Sequence, residues 1–108
     1  MARSILGTRY ELSITICGDR LARRINNTYR KKTYSPNVLS FPYTKNEGEI
    51  FLNVRKAERE TRSAGIALKD RLALLFVHGC YHLAGQEHSD AMEALERKTL
   101  RAYGFKAN

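Results

Sequence analysis

The stretch HGCYHLAGQEH, from His78 to His88, contains all three histidines of this 108-residue chain. On an α-helix, His78 and His82 are four residues apart, so their side chains project from one face about a turn apart. Gly85 can adopt the left-handed conformation that ends a helix, and the chain can then turn to bring His88 towards the same point. The HxxxHxxGxxH spacing therefore predicts a metal site at the end of a helix.

Three imidazole ligands would leave one tetrahedral position of a zinc ion open to water, as in catalytic rather than structural zinc sites. Nickel, copper or cobalt would also fit such a site. A single histidine on an apolar helix is more often a packed core residue, and only the spacing of all three favours a metal. Cys80 lies about 200° around the helix from His78, and we expect both Cys80 and Cys17 to be buried thiols.

Glu87 directly precedes the third histidine and is a candidate catalytic residue. Its carboxylate could orient an imidazole or accept a proton, although a solvated loop carboxylate explains it as well. Zinc endopeptidases share the histidine spacing but have glutamate directly after the first histidine, where this chain has Gly79. Peptide hydrolysis would therefore need a carboxylate from elsewhere in the fold.

Positive charge is concentrated in the first part of the chain. The net charge is +8, and residues 1–45 contain nine Lys and Arg but only two Asp and Glu. Such a segment attracts polyanions, so nucleic acid is the expected partner, with a merely soluble basic surface as the alternative. No apolar run approaches the ~20 residues of a membrane span, and no secretory signal begins the chain, so we expect a cytoplasmic protein without membrane contact.

The hydrophobic pattern predicts one α+β domain over residues 1–108, with helices packed on a small mixed sheet of three to four strands. Leu12, Ile14 and Ile16 alternate as the inward face of the first strand. Asp19 is the expected N-cap of a helix with Leu21, Ile25 and Thr28 inward, and Asp90 has the spacing of a capping box with Glu93. Pro42 should end the second strand. Predicted strands cover residues 10–17, 38–41 and 49–54, and predicted helices cover 20–29, 55–65, 67–85 and 90–104.

Two segments together resemble the YbeY family of bacterial endoribonucleases, which act in ribosomal RNA maturation. HGCYHLAGQEH resembles the family signature HGxLHLxGyDH, and NNTYRKKTYSPNVLSFPY resembles LNxxYRxxxxPT[DN]VLSFP. GEI at residues 48–50 follows in the family's order. The resemblance covers nearly the whole chain and implies an α+β fold in which the metal helix packs near a small sheet.

The resemblance also implies roles for individual residues. Its metal ligands fall on His78, His82 and His88, and its functionally important arginine falls on Arg30. A guanidinium there could clamp a phosphate and stabilise charge during phosphodiester cleavage, although a solvated basic turn explains YRKK by itself equally well. Asn37 and Ser40 could line the same cleft, but a hydrogen bond at a strand end explains either residue equally well. The expected substrate-binding residues are Arg30, Lys31, Lys32, Asn37 and Ser40.

This chain departs from the family pattern at several positions. Glu87 stands where the family has Asp, Pro36 where it has Thr, and Tyr81 where Leu is common. Family members usually begin with a further strand and helix, whereas nine residues precede the strand predicted here. We therefore expect an uncovered sheet edge or helix face that a second subunit or a ribosomal partner covers.

The sequence thus predicts a zinc-dependent endoribonuclease that acts on RNA in ribosomal RNA maturation and ribosome quality control. The rival prediction is an RNA- or ribosome-binding module in which zinc staples the last two helices and catalysis is weak or absent. The positive charge of the chain fits the endoribonuclease and the binding module equally well. A closed metal site, with Glu87 bound directly to the ion, would favour the binding module.

Overall fold

A computed structural model describes residues 1–107, which form an α+β fold of three strands and five helices. This confirms the predicted class and the strand count, but the first helix was not predicted. The elements in chain order are α1 (Ala2–Leu6), β1 (Glu11–Cys17), α2 (Asp19–Arg30), β2 (Val38–Thr44), β3 (Glu47–Asn53), α3 (Val54–Ala64), α4 (Leu68–Leu83) and α5 (Asp90–Ala102).

The three strands form one mixed sheet in the order β1-β3-β2. β1 runs parallel to β3, with Ile14 opposite Ile50, and β2 pairs with β3 as an antiparallel hairpin. Pro42 lies within β2 and does not end it, so that prediction was wrong. β2 is an edge strand, and its register shifts between Pro42 and Thr44, where a residue without an N–H group is tolerated.

The predicted central helix, α4, packs against the sheet and against α1, α3 and α5. Its buried Leu75 and Cys80 join Ile50 and Leu52 of β3 in the main core. Cys80 and Cys17 are buried free thiols, as predicted, and burial raises the pKa of the Cys80 thiol to about 12. Within residues 1–107, no helix is both long and apolar enough to cross a membrane.

Gly79 sets how closely α4 approaches the sheet. A Cβ atom at this position would lie 3.0 Å from Cδ1 of Ile50 and 3.0 Å from Oγ of Ser40. Oγ of Ser40 also donates a hydrogen bond to the carbonyl oxygen of Gly79, at 3.1 Å. Gly79, the position of the peptidase glutamate, is therefore held against β2 and β3. A larger side chain there would have to push α4 away from the sheet.

α2 begins one residue earlier than predicted. Gly18 occupies the N-cap position, and Asp19 is the first helical residue, so the predicted capping role of Asp19 was wrong. Its carboxylate instead accepts hydrogen bonds from Arg59, at 2.7 and 2.9 Å, and from Asn53, at 3.0 Å. Thr28 is exposed and not inward as predicted. The hydrogen bonds of Asp19 fasten the start of α2 to α3 and to the end of β3.

The cap of α5 also differs from the prediction. Ser89, not Asp90, is the N-cap, because its hydroxyl accepts a hydrogen bond from the backbone N–H of Met92. Met92 and Leu100 are fully buried, but Leu95 is 38% exposed and Tyr103, where the helix ends, is 50% exposed. The buried face of α5 is therefore narrower than its apolar residues suggested.

β1 leaves part of the core face uncovered. Leu12 packs into the core, whereas Ile14 and Ile16 are 48% and 59% exposed, so the predicted inward face is only partly buried. Ile14 and Ile16 are opposite Ile50 and Leu52 in the parallel register, which puts all four side chains on the same side of the sheet. β1 is an edge strand with nothing beyond it among the described residues. This agrees with the expected uncovered edge, while its coverage by a second subunit stays a prediction.

Candidate active site

The three histidines lie together at the end of α4 and in the loop that follows. His78 and His82 share one helix face, and their Nε2 atoms are 2.9 Å apart. Gly85 has φ 91°, the left-handed region predicted for it, and the chain turns there. The ring of His88 comes within 5.7 Å of the His78 ring, centroid to centroid. His78 and His82 are therefore in contact with His88 nearby, and the predicted convergence of all three on one metal ion stays a prediction.

Hydrogen bonds at the Nδ1 atoms determine which ring nitrogens face each other. Nδ1 of His82 is 3.1 Å from the carbonyl oxygen of Gln86, which can only accept, so this nitrogen carries a proton. Nδ1 of His78 is 3.0 Å from Oε1 of Glu96, and an ionised carboxylate also only accepts. Two neutral rings would then direct unprotonated Nε2 atoms at each other. A proton or a metal ion between them is needed to relieve that repulsion.

Imidazole nitrogens are suitable zinc ligands, but the present distance between the Nε2 atoms of His78 and His82 is too short for two ligands of one ion. Zinc–nitrogen bonds of about 2.0–2.1 Å at a tetrahedral angle separate two nitrogens by about 3.3 Å, so the pair must open by a few tenths of an ångström. Nε2 of His88 is 3.6 Å from Oε1 of Glu93, and the His88 side chain is 67% exposed. As placed, no three His, Cys, Asp or Glu side chains in residues 1–107 form a cluster that could hold a metal ion. Metal binding therefore stays a prediction, to which the chemistry of the three imidazoles is suited.

Glu96 is a residue of the site that the sequence reasoning missed. It is only 4% exposed and contacts His78 from α5. Met92, Glu96 and Leu100 are all buried at four-residue intervals on one face of α5. A carboxylate within that otherwise apolar stripe is the signal that could have identified it, because a buried charge needs a partner.

The surroundings of His82 favour its neutral form. Its pKa is lowered, first by burial and next by the nearby His78. Both causes disfavour the imidazolium form, and a neutral imidazole is the form that binds metals.

Arg30 lies in the same cavity as two of the histidines. The cavity has a volume of about 510 Å³, and among its lining residues are Arg30, Asn37, Ser40, His78 and His82. An Nη atom of Arg30 donates to the carbonyl oxygen of Ser40 at 3.3 Å, and its guanidinium lies 5.7 Å from the centre of the Phe41 ring. The structure thus brings together five predicted site residues, from α2, the loop before β2, β2 and α4.

The other predicted substrate residues either make contacts within the protein at the cavity wall or lie outside the cavity. Asn37 donates to the carboxylate of Glu60 at 3.3 and 3.4 Å, a structural contact like the bond from Ser40 to Gly79. Lys31, which ends α2 with φ 55°, and Lys32 are exposed and lie outside the cavity lining. Lys56 of α3, which the sequence reasoning did not select, lines the cavity instead.

A second cavity adjoins His78 on the side of α5. Its volume is about 400 Å³, and His88, Glu93 and Glu96 line it together with His78. Arg71 and Arg97, which were also not predicted, add positive charge to its wall. Glu87 is exposed and lines neither of these cavities. The acidic residue beside His78 is therefore Glu96 and not Glu87.

Comparisons with known proteins show similarity to one family over most of the chain. The family model described as endoribonuclease YbeY matches residues 2–104. A curated relative from Pseudomonas entomophila named endoribonuclease YbeY is 38% identical over 87% of this chain and 68% of its own length. Another of that name, from Methylibium petroleiphilum, is 36% identical over 95% of this chain and 74% of its own length.

A solved structure has the same fold. The solution structure of a Thermotoga maritima protein superposes with a TM-score of 0.65, at 20% sequence identity, over 94% of this chain and 80% of that one. The family match extends through α2, the cavity and the histidine segment. The chain therefore belongs to the YbeY family of endoribonucleases.

Proposed function

We propose that this protein is a metal-dependent endoribonuclease that acts in ribosomal RNA maturation and quality control. Family membership supports an RNA-cleaving role in ribosomal RNA maturation. The observation that carries the proposal is the single cavity shared by Arg30 and the facing imidazoles of His78 and His82. A phosphate-binding cation and a candidate metal site side by side suit phosphodiester cleavage, because both stabilise the negative charge that develops on the phosphate.

His78, His82 and His88 are the proposed metal ligands, with zinc as the first candidate and nickel, copper or cobalt as alternatives. A bound ion would supply a Lewis acid at a phosphoryl oxygen or at an attacking water. The protein's part is to hold the imidazoles. Glu96 fixes the ring of His78 through its Nδ1, and the carbonyl oxygen of Gln86 does the same for His82.

Arg30 is the proposed phosphate ligand. Among the described contacts, its guanidinium donates one long bond, to the carbonyl oxygen of Ser40, which leaves most of its five N–H groups for a substrate. Two parallel N–H donors match the oxygens of a phosphate and would stabilise the charge that develops during cleavage. Lys56, in the same cavity, adds a second cation.

The proton acceptor in our proposal is Glu87, with a water as an alternative, and the attacking oxygen is that of a water or of the RNA's own 2′-hydroxyl. Glu87 lies in the exposed loop just before His88 and makes no hydrogen bond or ion pair within the part of the chain the structure describes. No other described residue therefore occupies its carboxylate, which is available to accept a proton from the attacking group. We also propose ribosome-associated proteins as partners and the cytoplasm as the location.

Metal removal tests the proposed function. The purified protein is stripped with a chelator, and cleavage of a structured ribosomal RNA fragment is measured before stripping, after it, and after addition of zinc, nickel, copper or cobalt. We expect cleavage to be lost and then restored by at least one ion, with no restoration in His82→Ala. A stripped protein that cleaves at the original rate would contradict metal dependence. A protein that binds the fragment but never cleaves it would favour the binding module.

A further inference from the structure

The outer face of α2 carries a continuous polar and basic stripe that ends at Arg30. Its members follow the helical intervals i, i+3, i+4, i+7 and i+10, which places them on one side of the helix. All of them are exposed. They are Arg20, Arg23, Arg24, Asn27 and Arg30.

The first part of this stripe lines a groove distinct from the histidine cavity. The groove has a volume of about 610 Å³, and its wall contains Arg20, Arg23, Arg24 and Asn27, with Thr33 from the following loop. None of its lining residues belongs to the cavity that holds Arg30 and the histidines. It is therefore a separate concave surface on the same helix.

The charge of the groove is not neutralised by the protein. Asp19 is the acidic residue in its wall, and that carboxylate is already bound by Arg59 and Asn53. The ion pairs of the described residues involve other arginines, on α3 and α4, and not Arg20, Arg23 or Arg24. Within residues 1–107, the three arginines form no ion pair, and only Arg23 among them lies close enough to Asp19 for a coulombic interaction with it.

The distance to the proposed cleavage site suits a nucleic acid strand. At a rise of 1.5 Å per residue, Arg23 lies about 10 Å and Arg20 about 15 Å along the helix axis from Arg30. A strand whose phosphate binds Arg30 would thus need to extend by a few nucleotides to reach the groove.

We propose that this groove is a second phosphate-binding subsite, which holds the backbone of the same RNA strand a few nucleotides from the bond that is cleaved. The inference rests on the proposed function, because it takes Arg30 as the ligand of the scissile phosphate. An anionic membrane is disfavoured as the ligand, since membrane-surface helices place apolar side chains beside their basic ones. On α2, Leu21 and Ile25 are instead partly buried on the other side of the helix.

Binding of RNAs of two lengths tests the proposal. One labelled single-stranded RNA of about two nucleotides can fill only the cavity, and one of about twelve can also reach the groove. Their affinities are measured by fluorescence anisotropy at several salt concentrations for the parent and for the triple variant Arg20→Gln, Arg23→Gln, Arg24→Gln. The matched control removes three exposed arginines away from α2, by Arg3→Gln, Arg9→Gln and Arg62→Gln.

We expect the triple variant to bind the longer RNA at least tenfold more weakly at low salt, with a salt dependence reduced by about two phosphate contacts. Its affinity for the short RNA, and its rate of cleaving that RNA, should match those of the parent and the control. Equal losses for both lengths, or equal losses in the control, would show a general charge effect and overturn the proposal. So would a variant that loses binding to anionic lipid vesicles but not to the longer RNA. If the parent cleaves neither RNA, the proposed function is contradicted. The comparison of binding affinities would still test the groove.

Discussion

Nδ1 of His78 lies 3.0 Å from Oε1 of Glu96, so a buried carboxylate on α5 holds the first histidine of the cluster from behind. This contact joins α5 to the end of α4 and directs Nε2 of His78 towards His82. A histidine that ligates a metal commonly donates its other N–H group to a carboxylate in this way. Glu96 therefore acts as a positioning residue for the proposed metal site.

Replacing that carboxylate should weaken metal binding more than it weakens the fold. We predict that Glu96→Gln, which keeps the shape but removes the charge, lowers zinc affinity by about 10- to 100-fold. Competition with a chromophoric chelator measures the affinity, and circular dichroism checks the fold. Asp90→Asn, which removes an exposed carboxylate on the same helix, is the control and should have a smaller effect. A zinc affinity of Glu96→Gln equal to that of the parent would contradict the positioning role.

Gly79 should not tolerate the glutamate that zinc endopeptidases have at this position. A Cβ atom there already meets Ile50 and Ser40 at 3.0 Å, so Glu would place a carboxylate against the sheet without a partner. We predict that Gly79→Glu lowers the free energy of unfolding by more than about 4 kcal/mol. Urea denaturation measures this. Ala84→Glu, which adds the same charge at an exposed site near the end of α4, should stay close to the parent; similar stability of both variants would disprove the packing argument.

The contacts of Asp19 predict a particular dependence of stability on pH. Hydrogen bonds from Arg59 and then from Asn53 hold the pKa of the Asp19 carboxyl well below its ordinary value of 3.8. A carboxyl whose pKa is lowered on folding stabilises the protein above its unfolded-state pKa, and this contribution fades as pH falls below it. The parent should therefore be more stable than Asp19→Asn at pH 7, and the difference should shrink below about pH 4. Thermal unfolding of both proteins from pH 7 to pH 2 checks this, and a constant or growing difference would refute it.

The edge at β1 predicts self-association. Two β1 strands paired antiparallel across a twofold axis would extend the sheet and give each chain's exposed Ile14 and Ile16 a neighbour. We expect a concentration-dependent dimer at micromolar protein by light scattering. Ile16→Lys should dissociate it, while Ile66→Lys, a change at an exposed residue outside the sheet, should not. A strictly monomeric mass of the parent would remove the homodimer.

Local patterns were enough to predict the histidine cluster and the elements that carry it. The four-residue spacing of His78 and His82 and the left-handed Gly85 depend on neighbours along one stretch of chain, and both are present in the structure. Alternation in β1 likewise showed which residues share a face. It could not show that Ile14 and Ile16 lack a covering layer, because that depends on what packs beside the strand.

Contacts between distant segments account for what the sequence did not show. Asp19 is a plausible cap by its local sequence, but its partners Asn53 and Arg59 are 34 and 40 residues away and draw the carboxylate out of the capping position. Glu96 contacts a histidine 18 residues away on another helix. The family resemblance identified Arg30 as a site residue. Lys56 also lines the cavity, but only because of how α3 packs, and no local sequence motif indicates that packing.

The most direct test of the account compares cleavage and metal content in Arg30→Ala and His82→Ala, with Arg62→Ala as an exposed control. All proteins are repurified to remove contaminating nucleases, and metal is measured on the sample that is assayed with a ribosomal RNA fragment. We predict that Arg30→Ala keeps its metal but cleaves on the order of a hundredfold more slowly, whereas His82→Ala loses both metal and cleavage. Equal cleavage by all the variants and the parent would contradict the account, because the activity would then not belong to this site.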